Sequence, residues 1–454
     1  GDKEAIDQVL FTCGKMAAGG MYDQIGGGFS RYSVDEQWLV PHFEKMLYDN
    51  AQLLQLYLDA YLITGKKHHA DLAKDILKYV LRDMTHPRGG FYSAEDADSE
   101  GKEGKFYCWT KDELEKLLTA EEMGVVIRYY GITRSGNFED HSDPDPIKQQ
   151  NVLSIVDAEL AAGEEKLLTS ARDKMFKERG KRVRPGLDDK ILTSWNGLML
   201  GAIARAAAVF DNQDYLAAAE KNLAFIRSDL WDAEKKRLYH RWRNGARDNA
   251  QIFDTHAYLL SGIVALYGVT LNPDHLEFSM AVADRMIEAF YDPEEGGFFQ
   301  SDGAKDLILR LKEDYDGAEP SGNSVASLAL LKLAAITGNK RYREVVDKTL
   351  SYFAGRMKTV AVAMPYMLKA ADFAAREPNR VVIAGDPKSE SAQKLLRAAH
   401  SVYQPHKVVL GTVGPIEEFA RSLAKGDDKD VQVYLCKGKH CELPTNDPGK
   451  VRQL

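Results

Sequence analysis

NGLMLGAIARAAAVFDNQDYLAAAEKNLAFIRSDL, residues 196–230, is one of four stretches that echo one another along this 454-residue chain. The others are NAQLLQLYLDAYLITGKKHHADLAKDILKYVLRDM at 50–84, HAYLLSGIVALYGVTLNPDHLEFSMAVADRMIEAF at 256–290 and NSVASLALLKLAAITGNKRYREVVDKTLSYFAGRM at 323–357. Each opens on a polar residue and a small one, then stays apolar on most sides for about five helical turns. A short turn follows (TGKK, DNQD, LNPD, TGNK), then a second helix whose apolar residues recur at three and four. That period marks an amphipathic helix with one wet face, whereas a helix apolar all round has to be buried. One of each per repeat predicts inner and outer rings. The expected fold class is mainly α, a barrel of repeated helical hairpins.

The connections repeat as well. MYDQIGGGFSRYS precedes the first hairpin, and THPRGGFYSAED, WDAEKKRLYHRW and YDPEEGGFFQSDG follow the outer helices of the first three. Paired glycines followed by aromatic residues suit a tight turn into a short strand. Residues 3–19 read as a lone outer helix and 361–376 as a lone inner one, so the barrel is expected over 1–378. Residues 99–190 interrupt the repeat as a charged, partly helical insertion. From Arg380 the pattern becomes RVVIAG, SAQKLLRAAHSVY, HKVVLGT, IEEFARSLAKG, VQVYLC, a small parallel α/β domain over 379–454. If all hairpins share one handedness, the inner helices run parallel and every long loop lies at one mouth. Chemistry belongs there, where helix N-termini favour anionic or hydroxyl-rich ligands.

Composition removes several alternatives. The net charge is -8, and the 60 basic residues are scattered rather than striped, so nucleic acid is not an expected partner. No apolar run approaches the ~18–20 residues of a membrane span. Four cysteines are too few for a disulfide framework, and with no visible secretion signal a reducing, cytoplasmic compartment is expected. The chain begins inside an amphipathic helix and reads as a fragment from which a targeting segment could be missing.

The densest polar and aromatic patch is residues 19–51. Within it Asp23, Arg31, Tyr32, Trp38, His42, Glu44 and Asp49 suit a sugar, with rings against its apolar face and charged groups on its hydroxyls. His42 and Asp49, seven apart, are expected on one face of a helix opened by Pro41. FDTHAYLL places Asp254 and His256 at an inner-helix entry, where a histidine can move protons near neutral pH. Glu319 precedes the last full inner helix and is expected to pair with Asp254 or Asp49 as acid and base. Glu95 and Asp98 in SAEDADSEG, with Trp195 and Asn196 at the second inner helix, are further candidates for substrate contact. The helix-entry asparagines equally suit caps or inter-helix bonds. SAEDADSEG lacks the rest of a calcium loop, Cys436, His440 and Cys441 lack a fourth ligand, and RVVIAGDP lacks a dinucleotide fingerprint. Neither metal nor cofactor is expected.

GGMYDQIGGGFSRYSVDEQWLVPHFEKMLYDNAQLL at 19–54 resembles the signature of the thioredoxin-domain-containing, spermatogenesis-associated family. GGFYSAEDADSEG, LTSWNGLML, EPSGNSVA and VAMPYM resemble it too, so the likeness runs along nearly the whole chain. It implies an (α/α)6 barrel of the six-hairpin glycosidase type and a thioredoxin-like domain upstream in the same polypeptide as partner. The barrel is similar to that of the N-acylglucosamine 2-epimerase and cellobiose 2-epimerase superfamily, whose members move a proton at C2 of an open-chain sugar with two histidines. THAYLL resembles the first of those sites, which implies His256; at the second, MPYMLKAA has no histidine.

The expected function is therefore isomerisation or epimerisation of a small carbohydrate or derivative. His256 would move the proton with His42 or Asp254 assisting, and Arg31 would bind substrate oxygens. A glycoside hydrolase using Asp49, Asp254 or Glu319, and a non-catalytic glycan- or protein-binding module, are the rival expectations.

Overall fold

The computed structural model describes residues 2–141, 143–303, 309–423, 431–438 and 440–453. The chain is mainly α, of the (α/α)6 helical-hairpin class, with a small α/β region near residue 380 onward. It divides into two compact units. The first comprises 1–60, 66–85 and 92–189, and the second 61–65, 86–91 and 190–454.

In the first unit α1 (Lys3–Ala18), α2 (Leu47–Thr64) and α3 (Lys67–Asp83) carry the hairpin pattern, and α4 (Lys111–Leu117), α5 (Ala120–Tyr130) and α6 (Glu164–Arg179) belong to the insertion. Tyr57 of α2 ties two of these together: its hydroxyl donates to Cys13 O in α1 at 2.9 Å and its ring lies 6.2 Å from His69 of α3. The insertion has its own core, in which Trp109, Leu114, Val126, Tyr130, Ala171 and Met175 are buried together. Capping boxes at Thr110–Glu113 and Thr119–Glu122 start α4 and α5.

In the second unit α7 (Thr193–Phe210), α9 (Phe253–Thr270), α11 (Gly322–Thr337) and α13 (Pro365–Ala374) lie side by side in that order. α8 (Gln213–Phe225), α10 (Pro273–Phe290) and α12 (Lys340–Thr359) each pack against the helix before them. These are the inner and outer helices that the periodicity demanded. α7 and α9 meet backbone to backbone. A Cβ on Gly262 would stand 2.3 Å from Gly197 O, and one on Gly197 would stand 2.5 Å from Leu259 N. Only glycine at both positions allows this approach, which brings the second turn of α7 against the middle of α9.

A mixed sheet follows α13. Strand Asn379–Ala384 pairs in parallel with Lys407–Leu410 and antiparallel with Gln432–Lys437, which continues to His440–Cys441. The all-parallel expectation is corrected here, because an apolar run fixes a strand but not its direction. Helix Glu390–His400 covers the sheet with Ala392, Leu395, Leu396 and Ala399. Cys436 and Cys441 face each other across the hairpin and are joined as a disulfide, so neither is a free thiolate for a metal. Among the described residues no helix is long and apolar enough to cross a membrane.

Candidate functional site

The glycine-aromatic connections reveal which polar residues are structural. In the first, Asp23 N donates to Gly28 O at 3.0 Å and Gly27 N to Asp23 O at 2.9 Å. In the last, Asp292 and the glycine pair Gly296–Gly297 repeat both bonds at 2.9 Å. A buried lysine completes each turn. Lys45 Nζ reaches Asp23 Oδ2 and Gly27 O, each at 2.9 Å, and Lys312 Nζ reaches Asp292 Oδ2 at 2.7 Å and Gly296 O at 2.9 Å. Asp23 also takes a bidentate pair from Arg179 at 2.8 and 2.9 Å. Burial alone would raise its pKa, but Arg179 and Lys45 hold the carboxyl far below the usual range. Expected as a sugar ligand, Asp23 is instead the buried anchor of a repeated turn.

The helix-entry asparagines do matching work. Asn50 Oδ1 accepts from Phe29 N and its Nδ2 donates to Phe29 O. Asn196 does the same to Phe91, and Asn323 to Phe298, with every Oδ1 bond at 2.8 Å and every Nδ2 bond at 3.0 Å. Each amide brackets the aromatic residue of a glycine turn, substituting for a strand partner. Asn196 is wholly buried, which corrects its assignment to substrate. His256 occupies the corresponding place in the third repeat. It is fully buried, its Nδ1 lies 3.2 Å from Ile252 O and its ring meets Phe290 edge-on at 5.1 Å. Burial, aided by Arg285, lowers its pKa to about 4. The ring packs toward the outer helix α10 and is not presented to a substrate, so the proton-moving role expected of it is corrected. Glu95 is likewise buried, holding Arg184 Nη2 at 2.5 Å and the Tyr79 hydroxyl at 2.8 Å.

Two clusters remain partly open. In the first unit residues 41–46 are not helical: Pro41–His42 ladders with Tyr32–Ser33, Lys45–Met46 pairs with Ala94–Glu95, and α2 begins only at Leu47. His42 and Asp49 therefore do not share a helix face. Arg31 Nη1 pairs with Glu44 Oε2 at 3.2 Å, His42 Nδ1 with Glu103 Oε1 at 2.8 Å, and His42 Nε2 stands 3.6 Å from Glu44 Oε2. The Tyr32 ring stacks on His42 at 5.2 Å. Burial would lower the Arg31 pKa, but the Tyr48 hydroxyl, Glu44 and Asp49 raise it. Asp98 is exposed and its pKa is raised by burial, then by Asp96, Glu103 and Asp140. Trp38 is half-buried in a left-handed conformation, φ 64°, and its carbonyl accepts from Gly20 N.

The second cluster lies in the second unit, at the first turns of α7, α9 and α11. Trp195 Nε1 donates to Glu319 Oε2 at 2.8 Å. Tyr258 donates to Pro320 O, and Asp316 accepts from Ser321 N at 2.8 Å and Tyr366 N at 2.7 Å. These bonds fix the loop that carries Glu319. Asp254 sits between, half-buried, its Oδ1 out of reach of any hydrogen bond of ordinary geometry among the described residues. Burial, then Glu313 and Glu319, push its pKa up to about 7, and the nearby Gly322 amide offsets only part of this. Glu319 is raised as well, chiefly by burial, with the Trp195 bond opposing.

His240 was missed by sequence reasoning. Its carbonyl accepts from Thr193 N, and its Nδ1 lies 3.0 Å from Thr255 Oγ1, which sets the ring against the first turns of α7 and α9. Its signal was its place in a mouth loop, RLYHRW, just ahead of an inner helix. Among the described residues no group of three or more His, Cys, Asp or Glu side chains is arranged to hold a metal ion.

No protein-family model matches the chain. Spermatogenesis-associated protein 20 of Mus musculus is 35% identical to it over 492 residues, and that of Homo sapiens 35% over 491. Each alignment covers 99% of this chain and 62% of the relative, so the chain spans less than two thirds of their length. An uncharacterized protein of Caenorhabditis elegans is 33% identical, with 100% and 66% covered. Among solved structures, a cellobiose 2-epimerase from Bacillus thermoamylovorans aligns at TM-score 0.43 and 10% identity, covering 78% of this chain and 87% of its own. A D-mannose isomerase aligns at 0.39 and 13%, covering 78% and 86%.

Proposed function

The chain belongs to the spermatogenesis-associated protein 20 family, which is named for no reaction, and from the site itself we propose acid–base chemistry on a small carbohydrate or hydroxylated derivative. The reaction is isomerisation or epimerisation, with Asp254 rather than His256 carrying the proton. One observation carries this reading. A half-buried carboxyl with a pKa of about 7, eased only in part by the Gly322 amide, has both protonation states available at neutral pH, as a general acid–base group requires. Glu319, oriented by Trp195, binds or polarises a hydroxyl, the Trp195 ring offers an apolar face to a sugar, and His240, bonded to Thr255 in the same helix turn as Asp254, is a second proton carrier. Arg31, Tyr32 and His42 form a separate polar cluster within the first unit and take no part in this assignment. A thioredoxin-like domain of the same polypeptide as partner and a cytoplasmic location belong to the same proposal.

Glycoside hydrolysis is the second reading. What favours it is that Asp254 and Glu319 are both shifted upward and each feels Glu313, so one stays protonated while the other ionises first.

Proton NMR in D2O with aldoses, ketoses, N-acetylhexosamines and disaccharides tests both. Deuterium entering at a sugar carbon with the wild type and His256→Asn, but not with Asp254→Asn, is the expected result. New reducing ends without exchange would transfer the case to hydrolysis. Silence from folded protein would leave a non-catalytic binding module.

A further inference from the structure

Residues 309–315, LRLKEDY, form an irregular stretch beside the second cluster whose burial alternates residue by residue, with the polarity inverted. Along a half-buried extended segment alternate residues face in and out, and the inward set is ordinarily the apolar one. Here Leu309, Leu311 and Tyr315 are 69%, 61% and 59% exposed, while the charged residues between them are drawn in. Arg310 stacks 3.9 Å from the Phe299 ring centroid and donates to Ser301 O at 2.7 Å. Lys312 completes the Asp292 turn and lies 4.1 Å from the Tyr352 ring centroid. Asp314, buried, pairs with Arg356. A slip by one residue would bury the leucines, and three separately satisfied charges prevent it. The apolar side chains are thus held outward by construction.

This row borders the proposed site. Glu313 shares its outward parity, and its carboxylate raises the pKa of both Asp254 and Glu319. Tyr315 directly precedes Asp316, whose N–H donates to Ala363 O at 2.8 Å and so brings up the turn bearing Val362, which is 93% exposed. Successive outward side chains stand roughly 7 Å apart, so Leu309 to Tyr315 offers a track of roughly 20 Å beside the carboxylates, ample for an octyl chain.

We infer that Leu309, Leu311, Tyr315 and Val362 form a subsite for an apolar portion of the substrate, which is then a hydroxylated head carrying an alkyl or aryl group. This rests on the reading of Asp254 and Glu319 as the reacting site for the head. An apolar row continuous with a polar site gains affinity with each methylene it shields from water.

The test is titration of the full chain with methyl, butyl and octyl β-D-glucopyranoside below micelle-forming concentration, and with n-octanol. The expected result is a graded gain, octyl binding at least about tenfold tighter than methyl. The gain should vanish in the triple variant Leu309→Ser, Leu311→Ser, Tyr315→Ser and shrink in Val362→Ser alone. Intermolecular NOEs from alkyl protons to the Tyr315 ring in the wild type give the same answer without any variant. Equal binding of methyl and octyl glucosides overturns the subsite and leaves the head-group reading standing. Octanol binding as tightly as octyl glucoside sinks the carbohydrate head and keeps the apolar row. Concentration-dependent self-association that the triple variant abolishes, without chain-length dependence, overturns the inference in favour of a protein contact.

Discussion

Asp254 shows how one residue can set stability against function. Its folded pKa of about 7 lies above the ordinary carboxyl value of 3.8, so between those values the folded chain holds a proton that the unfolded chain has released. The stability linked to that proton is fully present below about pH 3.8 and is lost as pH rises through about 7. At pH 8 the charged, poorly bonded carboxylate is a burden that an uncharged amide would lift. Asp254→Asn should therefore stabilise the protein by about 1–3 kcal/mol at pH 8 and by little at pH 4, while abolishing the proposed proton transfer. Urea midpoints at both pH values measure this. A difference independent of pH would mean that Asp254 is ordinarily ionised and unfit for the role.

At the scale of elements the repeated device is an asparagine at an inner-helix entry closing on a glycine-aromatic turn. Removing one amide leaves a buried backbone N–H and C=O unpaired, so Asn196→Ala should cost roughly 2–4 kcal/mol, read as a lower urea midpoint with the site chemistry retained. His256→Asn, which restores the residue of the sister repeats and can keep the bond to Ile252 O, should leave sugar chemistry intact. Loss of activity in that variant, with folding preserved, would return His256 to the mechanism. Inner and outer helices were legible because period and apolar width state directly which faces are buried. The role of Asn196 was not, because its partner Phe91 lies 105 residues away and nothing local distinguishes a bracket from a ligand. Asp23 was misread for the same reason: Arg179 is 156 residues distant. Pro41 suggested a helix start, but pairing of residues 41–46 with strands from elsewhere overrode the local signal. Asp254 and Glu319 stood out as carboxylates at helix entries, whereas His240 depended on a loop conformation that no periodicity encodes.

Across the whole molecule the histidines give stability a definite pH profile. His69, His256 and His275 have pKa values lowered to about 4 and His400 to about 3, in each case first by burial and then with help from neighbouring cations. Unfolded, each titrates near 6.5, so between about 4 and 6.5 the unfolded chain binds more protons and stability rises with pH. Each contributes on the order of 2 kcal/mol across that window. Asp98, Asp254 and Glu319 work in the opposite sense, since their raised values favour the folded state as pH falls, but they are three against four. Asp23, held far below its ordinary range, adds a further loss in strong acid. Lys407 acts at the other end. Burial, with Arg205 nearby, lowers its pKa to about 8 from 10.5, so its charged form burdens the fold and stability increases again as pH climbs from 8 toward 10.5. The expected urea midpoint is low at pH 4.5, climbs to a shelf between 6.5 and 8, and rises modestly above it. His275→Asn should shallow the acid limb, and Lys407→Met should flatten the alkaline rise while raising the shelf. A midpoint constant from pH 4.5 to 7 would mean that the histidines are hydrated in the folded chain, and with them the packing assigned here to His256.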